Sequence, residues 1–143
     1  MNRLKNSPLI AIAIGLALVL IGMIGIKTEV DLQVDALRFT ESHPEQAVSE
    51  EIRMTGTITR QLNGRKEFEG ILTIDRQQIE CSLDLRRKTP IFADYLGSQR
   101  RILGMFLLVD GNFDGAAIKL GIASPEYIIW GMTVEEFLAQ EMR

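Results

Sequence analysis

Between Ile52 and Leu85 the chain alternates apolar and polar residues three times over, and only extended strands can use that period to bury one face. Ile52, Met54, Gly56 and Ile58 fall on one side, with Arg53, Thr55, Thr57 and Thr59 on the other. Phe68, Gly70, Leu72 and Ile74 form a second apolar face opposed by Glu69, Thr73 and Asp75. Ile79, Cys81, Leu83 and Leu85 form a third, against Glu80, Ser82, Asp84 and Arg86. Asn63-Gly64 and Asp75-Arg76-Gln77-Gln78 supply the turns between them. Three strands with short connections make an antiparallel meander the natural arrangement.

The rest of the chain extends this reading. Pro90 to Arg101 is expected as a longer connection with a turn of helix near Ile91 to Leu96. Ile102 to Val109 is almost wholly apolar, as a strand covered on both faces would be. Asp110-Gly111-Asn112 breaks it, and Ala116, Ile118, Leu120 and Ile122 resume the alternation. Tyr127 to Trp130 fits a short strand. Thr133-Val134-Glu135-Glu136 reads as a capping box, followed by Val134, Phe137, Leu138 and Met142 at helical spacing. The fold expected is mainly β: an antiparallel meander of five or six strands, sandwich- or barrel-like, with a C-terminal helix.

One N-terminal transmembrane helix is expected ahead of that domain. Leu9 to Ile26 (LIAIAIGLALVLIGMIGI) contains no charged or strongly polar residue. As a helix it would span roughly 27 Å, near the ~30 Å hydrocarbon core of a bilayer. Arg3 and Lys5 precede it, which by the positive-inside rule places residues 1–8 in the cytoplasm and the rest of the chain outside. The apolar core is longer than that of a cleaved leader, and Gly25-Ile26-Lys27-Thr28-Glu29 lacks an A-x-A-like site. Residues 9–26 therefore read as an uncleaved signal anchor, with a cleaved signal as the alternative. The small-residue pairs Ala11/Gly15 and Ala13/Ala17 could bring two such helices close, but an Ala/Gly-rich anchor contains such pairs by chance.

Residues 27–51 read as a polar neck. Ser42-His43-Pro44-Glu45 fits a helix start, with Ser42 as N-cap and Glu45 closing the box, good for one or two turns. Val30, Leu32 and Val34 fit a strand, while Val30, Val34 and Leu37 fit a helix continuing from the membrane; the pattern leaves both open. Residues 52–143 are the β-rich domain. After Lys27 there are nineteen Asp and Glu against thirteen Lys and Arg, a formal charge of −6, which argues against nucleic acid or an anionic membrane surface as the main partner. Arg65-Lys66, Arg86-Arg87-Lys88 and Arg100-Arg101 are local basic groups, read as solvated turn and strand-end charge.

The residues with chemical potential each have a structural reading. Cys81 is the only cysteine, in phase with Ile79 and Leu83, and is expected buried rather than reactive. His43 is the only histidine and lies in the neck, so neither a nucleophile–His arrangement nor a zinc cluster can be assembled. Asp110-Gly111-Asn112-Phe113-Asp114-Gly115 matches the opening of a calcium loop, but the twelfth position, which needs a bidentate acid, is Gly121. A β-turn accounts for the same residues, with a weak calcium contact as the alternative. Glu67/Glu69 and Glu135/Glu136 are carboxylate pairs explained by a strand face and a helix first turn. No catalytic, cofactor-binding or metal-binding residue is assigned.

A resemblance adds to this. Ile58, Arg60 and Leu62, the strand Phe68-Glu69-Gly70 with Leu72 and Ile74-Asp75, then Gly104, Phe113, Ile118, Ala123-Ser124-Pro125 and Thr133-Val134-Glu135-Glu136 carry it. Over about Ile52 to Glu136 the chain resembles small membrane-anchored proteins of Gram-positive bacteria, in which an anchor precedes an extracytoplasmic β-domain. The resemblance implies a fold and an address and supplies no catalytic residues. The expected function is a non-catalytic, membrane-tethered binding domain that meets the lipid bilayer through residues 9–26 and a protein or cell-envelope partner outside. The alternatives are an accessory subunit of a larger membrane complex and a carboxylate-dependent cell-envelope enzyme.

Overall fold

A computed structural model describes residues 7–96, 98–121 and 126–141. Helix α1 runs Ser7–Ile24, followed by strands β1 (Ile26–Thr40), β2 (His43–Arg60), β3 (Lys66–Ile74), β4 (Gln77–Asp84), β5 (Ile91–Leu96), β6 (Gln99–Asp110), β7 (Gly115–Leu120) and β8 (Glu126–Trp130), then helix α2 (Val134–Glu141). All eight strands form one antiparallel sheet in the order β4-β3-β2-β1-β8-β7-β6-β5. Two meanders are thus joined through β1 and β8, and the sheet curls until its ends, β4 and β5, lie beside each other without a hydrogen-bonded ladder. The result is a near-barrel rather than a closed one.

The three alternating stretches are β2, β3 and β4, with the register they imply: Ile52 faces Ile74, Ile58 faces Phe68, and Phe68 faces Leu83. Asp75 and Arg76 both take positive φ (50° and 64°), the twist a two-residue hairpin needs. At Gln61–Arg65 the turn rests on Gly64, at φ 84°. The expected meander and the strand at Tyr127–Trp130 are present, as is the C-terminal helix.

Several expectations are corrected. The strands number eight rather than five or six. Ser42 sits in the tight turn of the β1–β2 hairpin, and His43, Pro44 and Glu45 open β2 instead of a helix. Pro44 is accepted there because β3 pairs with β2 only from Ile52 onward, so no ladder partner lies on that side. The stretch read as a neck contributes nearly all of β1 and the first half of β2, with Val30 and Ala36 buried; the strand reading of Val30, Leu32 and Val34 holds. Ile91–Leu96 is β5, not a turn of helix, because Phe92 turns inward and Ile91 outward. In β6 only Gly104 and Phe106 are buried, so the strands covered on both faces are β7 and β8. Ile122, Ala123-Ser124-Pro125 and Met142, like residues 1–6, lie outside the described residues.

Two apolar clusters account for the burial. The barrel interior holds Ile52, Met54, Ile58, Leu72, Leu83, Ile118 and Ile128 around Phe68, Phe92, Phe106, Phe113 and Trp130. Their rings meet edge-on at centroid separations of 5.1 Å (Phe68–Phe113), 5.7 Å (Phe106–Phe113) and 5.8 Å (Phe92–Phe106). Outside the barrel α2 lays Phe137 against Phe39, Tyr127, Ala117 and Ile129, which is why β7 and β8 are apolar on both faces. Thr133 caps α2 as the sequence indicates: the Glu136 amide donates to Thr133 Oγ1 at 3.1 Å, and the Thr133 amide donates to Glu136 Oε2 at 2.8 Å.

The helix expected over 9–26 stops at Ile24, because Gly25 turns the chain with φ 76° and Ile26 opens β1 directly. Among the described residues no helix is long and apolar enough to cross a membrane.

Candidate functional site: the seam of the near-barrel

Where β4 and β5 meet without pairing, a groove of about 740 Å³ opens on the outer surface. Gln78, Glu80 and Ser82 of β4 form one bank, and Ile91 and Ala93 of β5 form the other. Glu69 and Ile71 of β3 extend the first bank, and Arg100 of β6 extends the second. Beneath the groove runs the inward-facing row Gly56–Gly70–Cys81, of which Gly70 and Cys81 form part of the floor. Gly56 and Gly70 are required there: a Cβ on Gly70 would sit 2.2 Å from the Thr55 carbonyl oxygen and 2.7 Å from the Phe68 ring. Phe68 thus covers Gly70 from inside the barrel.

The groove joins apolar and charged groups. Ile71 and Ile91 are each more than one-third exposed, and together they give the groove two neighbouring apolar side chains. Glu69 and Glu80 are exposed and have no cationic partner among the described residues. Nothing apolar encloses either carboxylate, and a glycosidase-type acid depends on such enclosure.

The other residues singled out by the sequence lie elsewhere. Cys81 is the groove's floor from the inside: it is buried, its Sγ sits 3.6 Å from the Ile79 carbonyl, and burial pushes its thiol up to about 11. His43 is exposed at the β1–β2 turn, its Nδ1 3.3 Å from Glu45. Glu67 pairs with Arg65 at 2.7 Å, and Glu136 is spent on the helix cap. No group of three or more metal-ligating side chains occurs among the described residues.

The calcium-like segment is a plug. Asp114 closes a turn onto the Asp110 carbonyl at 3.1 Å, and Phe113, at φ 69°, drives a fully buried ring into the barrel end. Trp130 Nε1 donates to the Phe113 carbonyl at 2.9 Å. Two of the loop's oxygens already face cations: Arg60 donates to Asn112 Oδ1 at 2.6 Å and Lys66 Nζ donates to the Gly111 carbonyl at 3.2 Å.

Those contacts expose a charge pattern that net charge conceals. Ile26 is level with Arg60, Arg60 with Lys66, and the Leu85 amide donates to the Lys66 carbonyl, so these four mark one end of the near-barrel. Lys27, Arg65 and the run Arg86-Arg87-Lys88 lie at that end, where α1 joins. Asp84 accepts from Arg86 at 3.1 Å, which holds its carboxyl below the ordinary range. Partial burial, reinforced by Arg60, lowers the Lys66 pKa. Two of the three basic groups seen in the sequence are therefore neighbours in space, and Arg100 of the third faces the groove.

Sequence reasoning missed the seam because it depends on which strands end the sheet. The only local signal was the polar outer face of β4 beside Ile91. No protein-family model, curated protein or solved structure matches the chain.

Proposed function

We propose that the protein is a non-catalytic interaction domain tethered to a membrane by α1, with its N-terminus cytoplasmic and its β-domain outside. The observation that carries the tether is the surface of α1. Its large apolar side chains from Leu9 to Ile24 are between 54% and 70% exposed, and no other element covers them. A helix apolar on every side is unstable in water and needs a nonpolar surround. Leu9–Ile24 would extend about 24 Å as a helix, and a bilayer thins locally to meet a short span at a fraction of a kcal/mol per Å. The basic end beside α1 would then meet the phosphate headgroups of the outer leaflet, an attraction that grows with that leaflet's content of anionic lipid. The groove supports the interaction half of the reading, because it presents apolar and charged groups with no arrangement for bond chemistry.

Two measurements test it. The full-length chain should stay with membranes through alkaline carbonate extraction; release into the supernatant would remove the tether. Affinity purification in mild detergent, run beside residues 28–143 alone, should recover the same partner with both; a partner lost with α1 would favour an accessory subunit acting through its membrane helix.

A further inference from the structure

We propose that the β4–β5 seam is a strand-addition site that takes an extended polypeptide with alternating apolar and basic side chains along the free edge of β4. The inference rests on the interaction-domain reading and names its ligand class.

The register decides which main-chain groups face the seam. In an antiparallel strand the N–H and C=O of one residue point to the same side, and successive residues alternate. The two-residue turn at Asp75-Arg76 makes Ile74 and Gln77 a hydrogen-bonded pair, and the Leu85 amide donates to the Lys66 carbonyl at 2.9 Å at the other end of the same ladder. Between them Ile79, Cys81 and Leu83 therefore bond to β3, and Gln78, Glu80 and Ser82 direct both peptide groups into the seam. On β5 the Phe106 amide donates to the Pro90 carbonyl at 2.8 Å, so Phe92 bonds to β6 while Ile91 turns outward; the extra residue of the register shift past Phe92 lies on β6, so β5 keeps its alternation and Ala93 turns outward too. Those five residues are the banks of the groove.

Donors and acceptors repeating at strand spacing along a groove are matched by one kind of ligand, another extended backbone. Free edge elsewhere in the sheet carries charge or proline: residues 26–36 of β1, unpaired on the β8 side, include Lys27, Glu29, Asp31 and Asp35. The first half of β2, unpaired on its β3 side, carries Pro44, Glu45, Glu50 and Glu51. The β4 edge has no proline and lies beside two exposed isoleucines. Glu69 and Glu80 outnumber Arg100 in the groove and set the charge of the ligand: side chains on the outer face of an added strand would pass beside the two carboxylates, and a lysine or arginine there would find a partner. A second copy fits poorly. Two β4 edges paired about Glu80 would set like carboxylates opposite each other, a destabilising cross-strand pair.

The test uses the full-length protein in nanodiscs and a short peptide of alternating valine and lysine as the probe. Without peptide, the amides of Gln78, Glu80 and Ser82 should exchange rapidly while those of Ile79, Cys81 and Leu83 are protected; adding peptide should slow the first set. A peptide N-methylated on the amides of one edge should fail to bind. Ser82→Pro deletes one seam-facing N–H without touching the ladder to β3, and should weaken binding about three- to tenfold, the worth of one hydrogen bond. Ser82→Ala should leave binding unchanged, and Glu80→Lys should weaken it. Seam amides already protected in the free protein would overturn the proposal, as would equal binding of the N-methylated peptide. Protection that rises with protein concentration would assign the seam to a second copy instead. A partner that binds the domain while these amides stay unprotected would end the seam assignment and leave the interaction-domain reading standing.

Discussion

Phe113 shows how much one residue settles in this molecule. A phenylalanine at φ 69° carries a backbone cost of about 1–2 kcal/mol, offset by a ring buried against Phe68 and Phe106. Phe113→Ala keeps the unfavourable backbone and loses the ring. It should destabilise the domain by about 3–5 kcal/mol, measured by urea unfolding followed through Trp130 fluorescence. Cys81 makes the complementary case for chemistry. Its thiol is pushed up to about 11 by burial, so the native protein should be inert to a thiol reagent at neutral pH and react only on unfolding. The raised value also fixes a sign. The unfolded thiol ionises first, so stability is fully present below its ordinary range and is lost as pH rises toward 11. Cys81→Ala should flatten that alkaline loss in thermal melts. Cys81, Trp130 and the capping pair were legible because alternation and spacing are local. The strain at Phe113 was not: a turn sequence says where the chain bends and leaves open which side chain turns inward.

Among elements, α2 is short and depends on its start and its single buried face. Thr133 and Glu136 satisfy each other's amides, while Phe137 packs against Phe39 and Tyr127 at centroid distances of 6.0 Å and 5.2 Å. Thr133→Ala should cost about 1 kcal/mol and Thr133→Ser almost nothing, read as a difference in denaturation midpoint. The β1–β2 hairpin shows where local reading fails. Ser42, Pro44 and Glu45 satisfy the pattern of a helix start, but Ala47 and Val48 offer too little apolar surface to hold one down. Val30 and Ala36 on β1, and Ile52 beyond, supply a core face that draws the segment into the sheet. Arg38 then ties the arm together, pairing with Glu50 on β2 and Glu126 on β8. These ion pairs raise the Arg38 pKa, with the Glu126 hydrogen bond the largest cause. Ile91–Leu96 was misread for a related reason: six residues are too few for periodicity to separate strand from helix.

At the scale of the whole molecule, the curl of the sheet places a seam on one side and gathers cations at one end. That end adjoins α1, which gives the tethered reading a directional consequence. In nanodiscs with spin-labelled headgroups, amides around Arg60–Lys66 and Arg86–Lys88 should broaden. Those at Asp75 and Glu41, on distant turns, should not. Broadening confined to the distant turns would place the molecule the other way up. The sequence by itself determined the strand-rich class, the apolar face of each of β2, β3 and β4, the C-terminal cap, the burial of Cys81 and the apolar N-terminal run. Each of those follows from periodicity or composition within a dozen or so residues. The tertiary structure alone decided that β1 pairs with β8, that β4 and β5 stay unpaired, that scattered basic groups become neighbours, and that Glu69 and Glu80 share a groove with Ile71 and Ile91. Those facts depend on how distant strands close on one another, which is set by the sum of packing over the whole core and is written in no single stretch of the chain.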